Sequence, residues 1–298
     1  MPNPTRETVD GRVYNDLRNL AKREGLSSAD VMLSYALERF LYRLARAPEG
    51  GRHFVLKGGL LLAQFGARRA TRDIDLLGRY FNGEQSEVIA RIKTVAALPV
   101  DDGMHFDPEA VRTVPIRTDE KYAGLRLTMP AALSRAQLKL QLDISFGDPI
   151  TPEARLVDYP QRLGTGPFRI YGYPIDTVIA EKLTTAIDLG EANTRDRDYA
   201  DLYRLICQND LDAAALRHAV ERTADHRGLR LRPLSTVMGT LPTSRQASYT
   251  RWRGKQDADH AAYPASFAEI CATVIAFADP LLTGSSGVHW SAADRQWH

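Results

Sequence analysis

The chain has 298 residues, 44% of them apolar, enough for a substantial core in one large domain or two ordinary ones. Lysine and arginine total 39 against 37 aspartates and glutamates, so the net charge of +2 is no general sign of a nucleic-acid binder and any basic surface is local. No apolar run approaches the roughly 18 residues of a membrane span, the start lacks the apolar region of a signal peptide, and Cys207 and Cys271 stand far apart in helix-like contexts. The expected setting is the reducing cytoplasm, with no membrane partner.

Residues 1–50 read as two helices, expected to form a cover on the domain after them. The second opens at Ser27 or Ser28 and carries Val31, Met32, Tyr35, Ala36, Leu41 and Leu44 at helical spacing. His53-Phe54-Val55-Leu56 is a short apolar strand, Lys57-Gly58-Gly59 breaks it into a turn, and LLLAQFG returns to helix. In Thr71-Arg72-Asp73-Ile74-Asp75-Leu76-Leu77 a period of two sets Asp73 and Asp75 on one face of a half-buried strand, with Ile74 and Leu76 on the other. A helix over 84–97 comes next, and 111–117 and 122–129 are predicted to pair as strands across the polar turn Thr118-Asp119-Glu120-Lys121. QLKLQLDIS alternates strictly: Leu138, Leu140, Leu142 and Ile144 share one face, Lys139, Gln141 and Asp143 the other. From Pro174 the pattern is mostly helical, and the Gly- and Pro-containing stretch 160–173 suits a connection. The expected division is a helical cover (1–50), an α/β (α+β) domain with a mixed sheet (51–165) and a C-terminal helical bundle (166–298). The last fifteen residues, beginning Gly-Ser-Ser-Gly, read as a mobile tail.

Asp73, Asp75 and Asp143 are hard oxygen ligands of the kind that hold a divalent cation against a triphosphate. Two residues along a strand rise roughly 6.5 to 7 Å, so Asp73 and Asp75 can share or separately hold two ions about 3.5 to 4 Å apart, provided Asp143 comes from a neighbouring strand. At Gly58-Gly59 the backbone can approach phosphate oxygens where a side chain would collide. Taken alone, the glycine pair is also an ordinary turn and the DxD an exposed strand edge. Thr71, Arg69 and Arg72 flank the strand as phosphate contacts or as plain surface groups. Lys182 stands at the margin of the stripe through Ile179, Leu183 and Ala186, either to act on a triphosphate or to cover the stripe with its stem. Asp198 and Asp201 share a face of the next helix; they support Lys182 or the nucleotide, or form a solvated face with Arg195, Arg197 and Arg204. Arg227, Arg230, Arg232, Arg245, Tyr249, Arg251, Trp252, Arg253 and Lys255 offer local positive charge with aromatic groups for a polynucleotide, or an ordinary basic surface. The sequence holds no HExxH, CxxC pair, Walker loop or Gly-x-Ser-x-Gly elbow.

The run KGGLLLAQFGARRATRDIDLL resembles the signature of the DNA-polymerase-beta-like nucleotidyltransferases, in which a glycine pair opens a helix and a DxD strand comes after it. With LDISFGDPI, IAEKL and NTRDRDYADLYRL in order behind it, the stretch from about 53 to 206 is similar to the AbiEii/AbiGii toxin family of type IV toxin–antitoxin systems. Gly59 replaces the serine usual in the wider superfamily, a form common in the toxin family. The resemblance implies a polymerase-beta-like fold, metal on Asp73 and Asp75, a triphosphate at Gly58-Gly59, and an essential Lys182. Asp143 completes the expected metal set; Lys57, Thr71, Arg72, Asp198 and Asp201 are the further nucleotide candidates. It also implies a Mg²⁺-dependent (or Mn²⁺-dependent) toxin that adds nucleotides to the 3′ end of tRNA and stops translation, restrained by an antitoxin encoded nearby. Transfer to a protein hydroxyl is the alternative enzyme, and a nucleotide-binding regulatory module the alternative without catalysis.

Overall fold

Side-chain caps start the first two helices: Thr8 Oγ1 accepts from the Gly11 amide at the head of α1 (Val9–Glu24), and Ser27 Oγ from the Asp30 amide at the head of α2 (Ser28–Arg46). Gly25, left-handed at φ 67°, ends α1. The computed structural model describes residues 4–48, 50–67, 69, 71–81, 85–116, 124–164 and 166–298. The chain forms two compact units, one of Met1–Leu61, Ala70–Gly147 and Arg155–Gly172, the other of Leu62–Arg69, Asp148–Ala154 and Tyr173–His298.

The first unit continues with α3 (Gly50–His53), β1 (Phe54–Lys57), α4 (Gly58–Leu61), β2 (Ile74–Gly78), α5 (Gln85–Ala96), β3 (Met104–Phe106), β4 (Arg112–Ile116), β5 (Gly124–Leu133), β6 (Ala136–Phe146), β7 (Arg155–Tyr159) and β8 (Phe168–Gly172). The strands form one mixed sheet in the order β3-β5-β6-β2-β1-β8-β7, with β4 also on β5. β2 runs parallel to β6 and β1 to β8; the other pairs are antiparallel. Alternation decides the faces as expected, since Ile74, Leu76, Leu142 and Ile144 are buried while Asp75 and Asp143 are half-buried. α2 packs against β6 and β8, and α1 against β5, where Tyr14, Leu17, Met32 and Tyr35 join Met104 and Leu133 in one apolar cluster. A buried fork from Arg43 to Asp102, at 2.6 and 3.0 Å, ties α2 to the approach to β3.

The expected strand pair forms as β4 and β5, with Ile116 opposite Gly124; the turn Thr118-Asp119-Glu120-Lys121 lies outside the described residues. The stretch 160–173, read as a connection, contains β8. Phe168-Arg169-Ile170-Tyr171-Gly172 alternates buried and outward positions, so it joins the sheet, and Pro160, Gly164, Gly166 and Pro167 lie ahead of it.

The second unit consists of α6 (Ile175–Leu189), α7 (Asp196–Gln208), β9 (Leu211–Asp212), α8 (Ala213–Arg227), α9 (Leu241–Ser244), α10 (Gln246–Arg253), α11 (Phe267–Thr283), β10 (His289–Ser291) and β11 (Gln296–Trp297). Its helices enclose Leu183, Leu202, Leu216, Phe267 and Phe277. Cys207 on α7 and Cys271 on α11 are free thiols, and burial pushes Cys271 up to about 12. The final residues are no mobile tail: β10 pairs with β9 and β11, and Trp290 is buried with its Nε1 donating to the Ile206 carbonyl at 2.7 Å. Trp297 Nε1 likewise donates to the Phe277 carbonyl at 2.9 Å. Two tryptophans bury enough apolar area to fix a segment that its Gly-Ser-rich start makes look loose. Among the described residues no helix is long and apolar enough to cross a membrane.

Candidate active site

Residues paired across neighbouring strands point to the same side of a sheet. Arg126 on β5 pairs with Asp143 on β6, Asp143 with Asp75 on β2, and Asp75 with Lys57 on β1. One transverse row on one face therefore reads Arg, Asp, Asp, Lys. Asp73 stands two residues before Asp75, just ahead of β2. The register thus brings Asp75 and Asp143 side by side, with Asp73 next to them along the chain.

β1 ends at Lys57 and the chain turns at Gly58, whose φ of 66° is left-handed. A Cβ built at Gly58 would overlap the Asp75 carboxylate. The sequence placed the collision at an incoming phosphate; the structure places one at the protein's own carboxylate. The helical run after the glycines is also shorter than expected, a single α turn (α4) followed by a 3₁₀ turn at Leu62–Phe65, with Gly66 at φ 73° beyond it.

Two of the flanking candidates, Thr71 and Arg72, are engaged within the first unit. Thr71 Oγ1 donates to Asp73 Oδ1 at 2.9 Å, and Arg72 reaches Asp30 at 3.1 Å out in solvent. Asp143 accepts from Arg126 through both oxygens, at 2.8 Å from Nε and 2.6 Å from the terminal nitrogen. The Asp143 hydrogen bonds, opposed by desolvation and aided by the charges of Asp143, Asp73 and Asp75, raise the Arg126 pKa above the usual arginine value. Arg126 was not among the sequence candidates. Its one signal was its place between Leu125 and Leu127 on the polar face of an expected strand.

Among the described residues no three histidine, cysteine, aspartate or glutamate side chains converge into a ready cage. Magnesium needs no such cage, because it keeps several waters and takes one or two protein carboxylates plus phosphate oxygens. The half-buried Asp73 and Asp75, with no Cβ at Gly58 to overlap the Asp75 carboxylate, fit that demand.

In the second unit Lys182 on α6 donates to Asp198 and Asp201 on α7, each at 2.8 Å, and Arg69 Nε donates to the other Asp201 oxygen at 2.8 Å. Asp201 is fully buried, so this is no solvated acidic face, and Arg204 donates to the Gly66 carbonyl instead. Burial works against the Lys182 ammonium, but Asp198 and Asp201 outweigh it and raise its pKa. Burial likewise opposes the Asp198 carboxylate, and Lys182 outweighs it, lowering that pKa. Lys182 is a standing cation, unsuited to act as a base.

The basic and aromatic residues of this unit divide in two. Arg227 donates to the Thr184 and Thr185 hydroxyls at 3.0 and 2.8 Å, Arg245 forks onto Asp196, and Arg253 donates to the Tyr263 carbonyl. Tyr249 is buried with its hydroxyl on the Pro264 carbonyl, and Trp252 stacks on its ring. Arg230, Arg232, Arg251 and Lys255 stay exposed.

Comparison with known proteins gives a match to the family model described as "Nucleotidyl transferase AbiEii toxin, Type IV TA system" over residues 39–273. A crystal structure from H. pylori, assigned to the nucleotidyltransferases, is 18% identical, with 87% of this chain and 97% of that one covered at a TM-score of 0.51, and it shares the fold. JHP933 from Helicobacter pylori is 17% identical, covering 84% of this chain and 90% of that one at a TM-score of 0.47. No curated protein matches the chain.

Proposed function

This chain belongs to the AbiEii family of nucleotidyltransferase toxins of type IV toxin–antitoxin systems, and from that membership we propose that it adds nucleotides from a triphosphate to the 3′ end of tRNA. The modified tRNA would no longer be aminoacylated, so translation stops, under the restraint of an antitoxin encoded nearby. The observation that carries the reading is the register of β2 and β6, which sets Asp75 beside Asp143 with Asp73 next along the chain and Gly58 against the Asp75 carboxylate.

Asp73 and Asp75 would hold Mg²⁺ or Mn²⁺, which when bound draws charge from the triphosphate and lowers the pKa of the attacking hydroxyl. Thr71 keeps the Asp73 carboxylate oriented through its hydroxyl. The Gly58-Gly59 backbone and Lys57 are assigned to the phosphates, with Arg72 at the rim. Lys182, fixed as a cation by Asp198 and Asp201, is assigned to the transfer as the group that answers developing negative charge. The acceptor oxygen bonds to the α-phosphorus as the bond to the leaving pyrophosphate breaks. Exposed Arg230, Arg232, Arg251 and Lys255 support a polynucleotide acceptor, since each can neutralise a phosphate.

The test is incubation of total tRNA with the purified protein, Mg²⁺ and each labelled triphosphate in turn, beside Asp75→Ala and Lys182→Ala. Label on tRNA that disappears in both variants is expected. Label on protein alone moves the acceptor to a protein hydroxyl. Tight triphosphate binding with no pyrophosphate released from any acceptor reduces the chain to a regulatory module.

A further inference from the structure

The polar face of the sheet offers three carboxylates, one more than the one or two that a magnesium-type cation takes from protein. Arg126 is where the third is spent. Its guanidinium meets Asp143 through two parallel donors at 2.8 and 2.6 Å, the fork geometry that matches a carboxylate best. An arginine does not lose its proton, so this fork opens only by exchange for another cation or by rotation of the side chain. The pair is unevenly covered, Arg126 being 42% exposed and Asp143 15%. The carboxylate is thus pinned at the sheet while the arginine lies toward solvent.

We propose that Arg126 is a positioning residue that occupies Asp143 as a built-in counter-cation, leaving the divalent cation to Asp73 and Asp75 and lowering the site's affinity for it. This rests on the reading of Asp73 and Asp75 as the cation's ligands. In this row, with Asp73 beside it, three carboxylates stand against Arg126 and Lys57, an excess of one negative charge. A divalent cation is held weakly by so small an excess, and firmly once a triphosphate adds its own oxygens. The nucleotide and its cation therefore arrive together, and the resting protein does not accumulate free metal. Without Arg126, the Asp143 carboxylate would add its charge to that of Asp75 on the adjacent strand, a deeper well for any cation.

The probe is Mn²⁺ alone, titrated into the nucleotide-free full chain and followed by the electron paramagnetic resonance of the free ion. Arg126→Met is expected to bind Mn²⁺ about tenfold more tightly than the wild type. Arg126→Gln, which keeps a hydrogen-bonding side chain without charge, should show the same gain and stands in if the methionine variant fails to fold. Adding Asp143→Asn to Arg126→Met should abolish the gain, because the released carboxylate is its source. Wild-type binding that Asp75→Asn removes, with neither Arg126 variant tighter, overturns the inference alone. Mn²⁺ binding by neither the wild type nor an Arg126 variant overturns the cation reading of Asp73 and Asp75 along with it.

Discussion

Each unit holds a constellation of arginine, lysine and aspartate, and the two differ in their surroundings. In the sheet unit, Arg126, Asp143, Asp75 and Lys57 lie in a row on a half-open face, with Arg126 reaching solvent. In the helical unit, Arg69, Asp201, Lys182 and Asp198 close on one another in the interior. A charge on an open face can exchange one partner for a ligand at small cost, whereas a buried charge that loses its partner carries the full desolvation penalty. The row suits a site that a cation and phosphates enter, and the closed network suits a cation held at one point with one charge.

The largest effect should come from the closed network. Asp201→Asn removes the buried charge that Arg69 and Lys182 share, and is expected to cost about 3–5 kcal/mol in urea unfolding. A loss under about 1 kcal/mol would mean that the network is solvated after all. Lys182→Ala is expected to cut transfer by about 10²–10³-fold, the scale of losing one charge-stabilising group. An unchanged rate with a shifted unfolding midpoint would make Lys182 purely structural.

On the open face, Gly58→Ala should cost about 1–3 kcal/mol for a left-handed residue with a side chain. The added methyl also displaces the Asp75 carboxylate, so Mn²⁺ binding should weaken in the same variant. Wild-type Mn²⁺ binding in a Gly58→Ala protein would separate the glycine from the metal and leave it a backbone requirement alone.

The helical network should also set a pH profile. Asp198 has a lowered pKa, so its contribution is present above the ordinary aspartate value near about 3.9 and is lost as pH falls through its folded value. Lys182 has a raised pKa, so its contribution is present below the ordinary lysine value near about 10.4 and is lost as pH rises through its folded value. The urea midpoint of the wild type should drop at both extremes for this reason. In Asp201→Asn the alkaline drop should shrink, because the raised Lys182 pKa leans partly on Asp201.

Local pattern was legible and long-range register was not. The Ser27 cap, the alternation that separates Asp75 from Ile74 and Leu76, and the strand around Asp143 all arise from neighbours in sequence. Arg126 was missed because its importance lies in standing opposite Asp143, and a strand's register depends on partners that no local spacing reveals. The closing strands were missed because Trp290 and Trp297 are fixed by Ile206 and Phe277, distant in the chain. The pairing of Asp198 and Asp201 with Lys182 stood among the alternatives, but burial decides between a paired and a solvated face, and burial is a tertiary quantity.

The smallest effect bounds the comparison from the open side. Arg72 stands next to Asp73 in sequence, yet it reaches away to Asp30 at 3.1 Å, with Arg72 79% and Asp30 46% exposed. An exposed pair of this kind contributes about 0–1 kcal/mol and is screened by salt, so Arg72→Ala should move the urea midpoint hardly at all and less still in high salt. Transfer is the sharper readout. If Arg72 serves phosphate at the rim, Arg72→Ala raises the KM for the triphosphate and leaves kcat in place, as expected when binding is lost equally from ground and transition states. If both constants are unchanged, Arg72 belongs to the surface pair alone, and the assignment of phosphate on this face rests on Lys57 and the Gly58-Gly59 backbone.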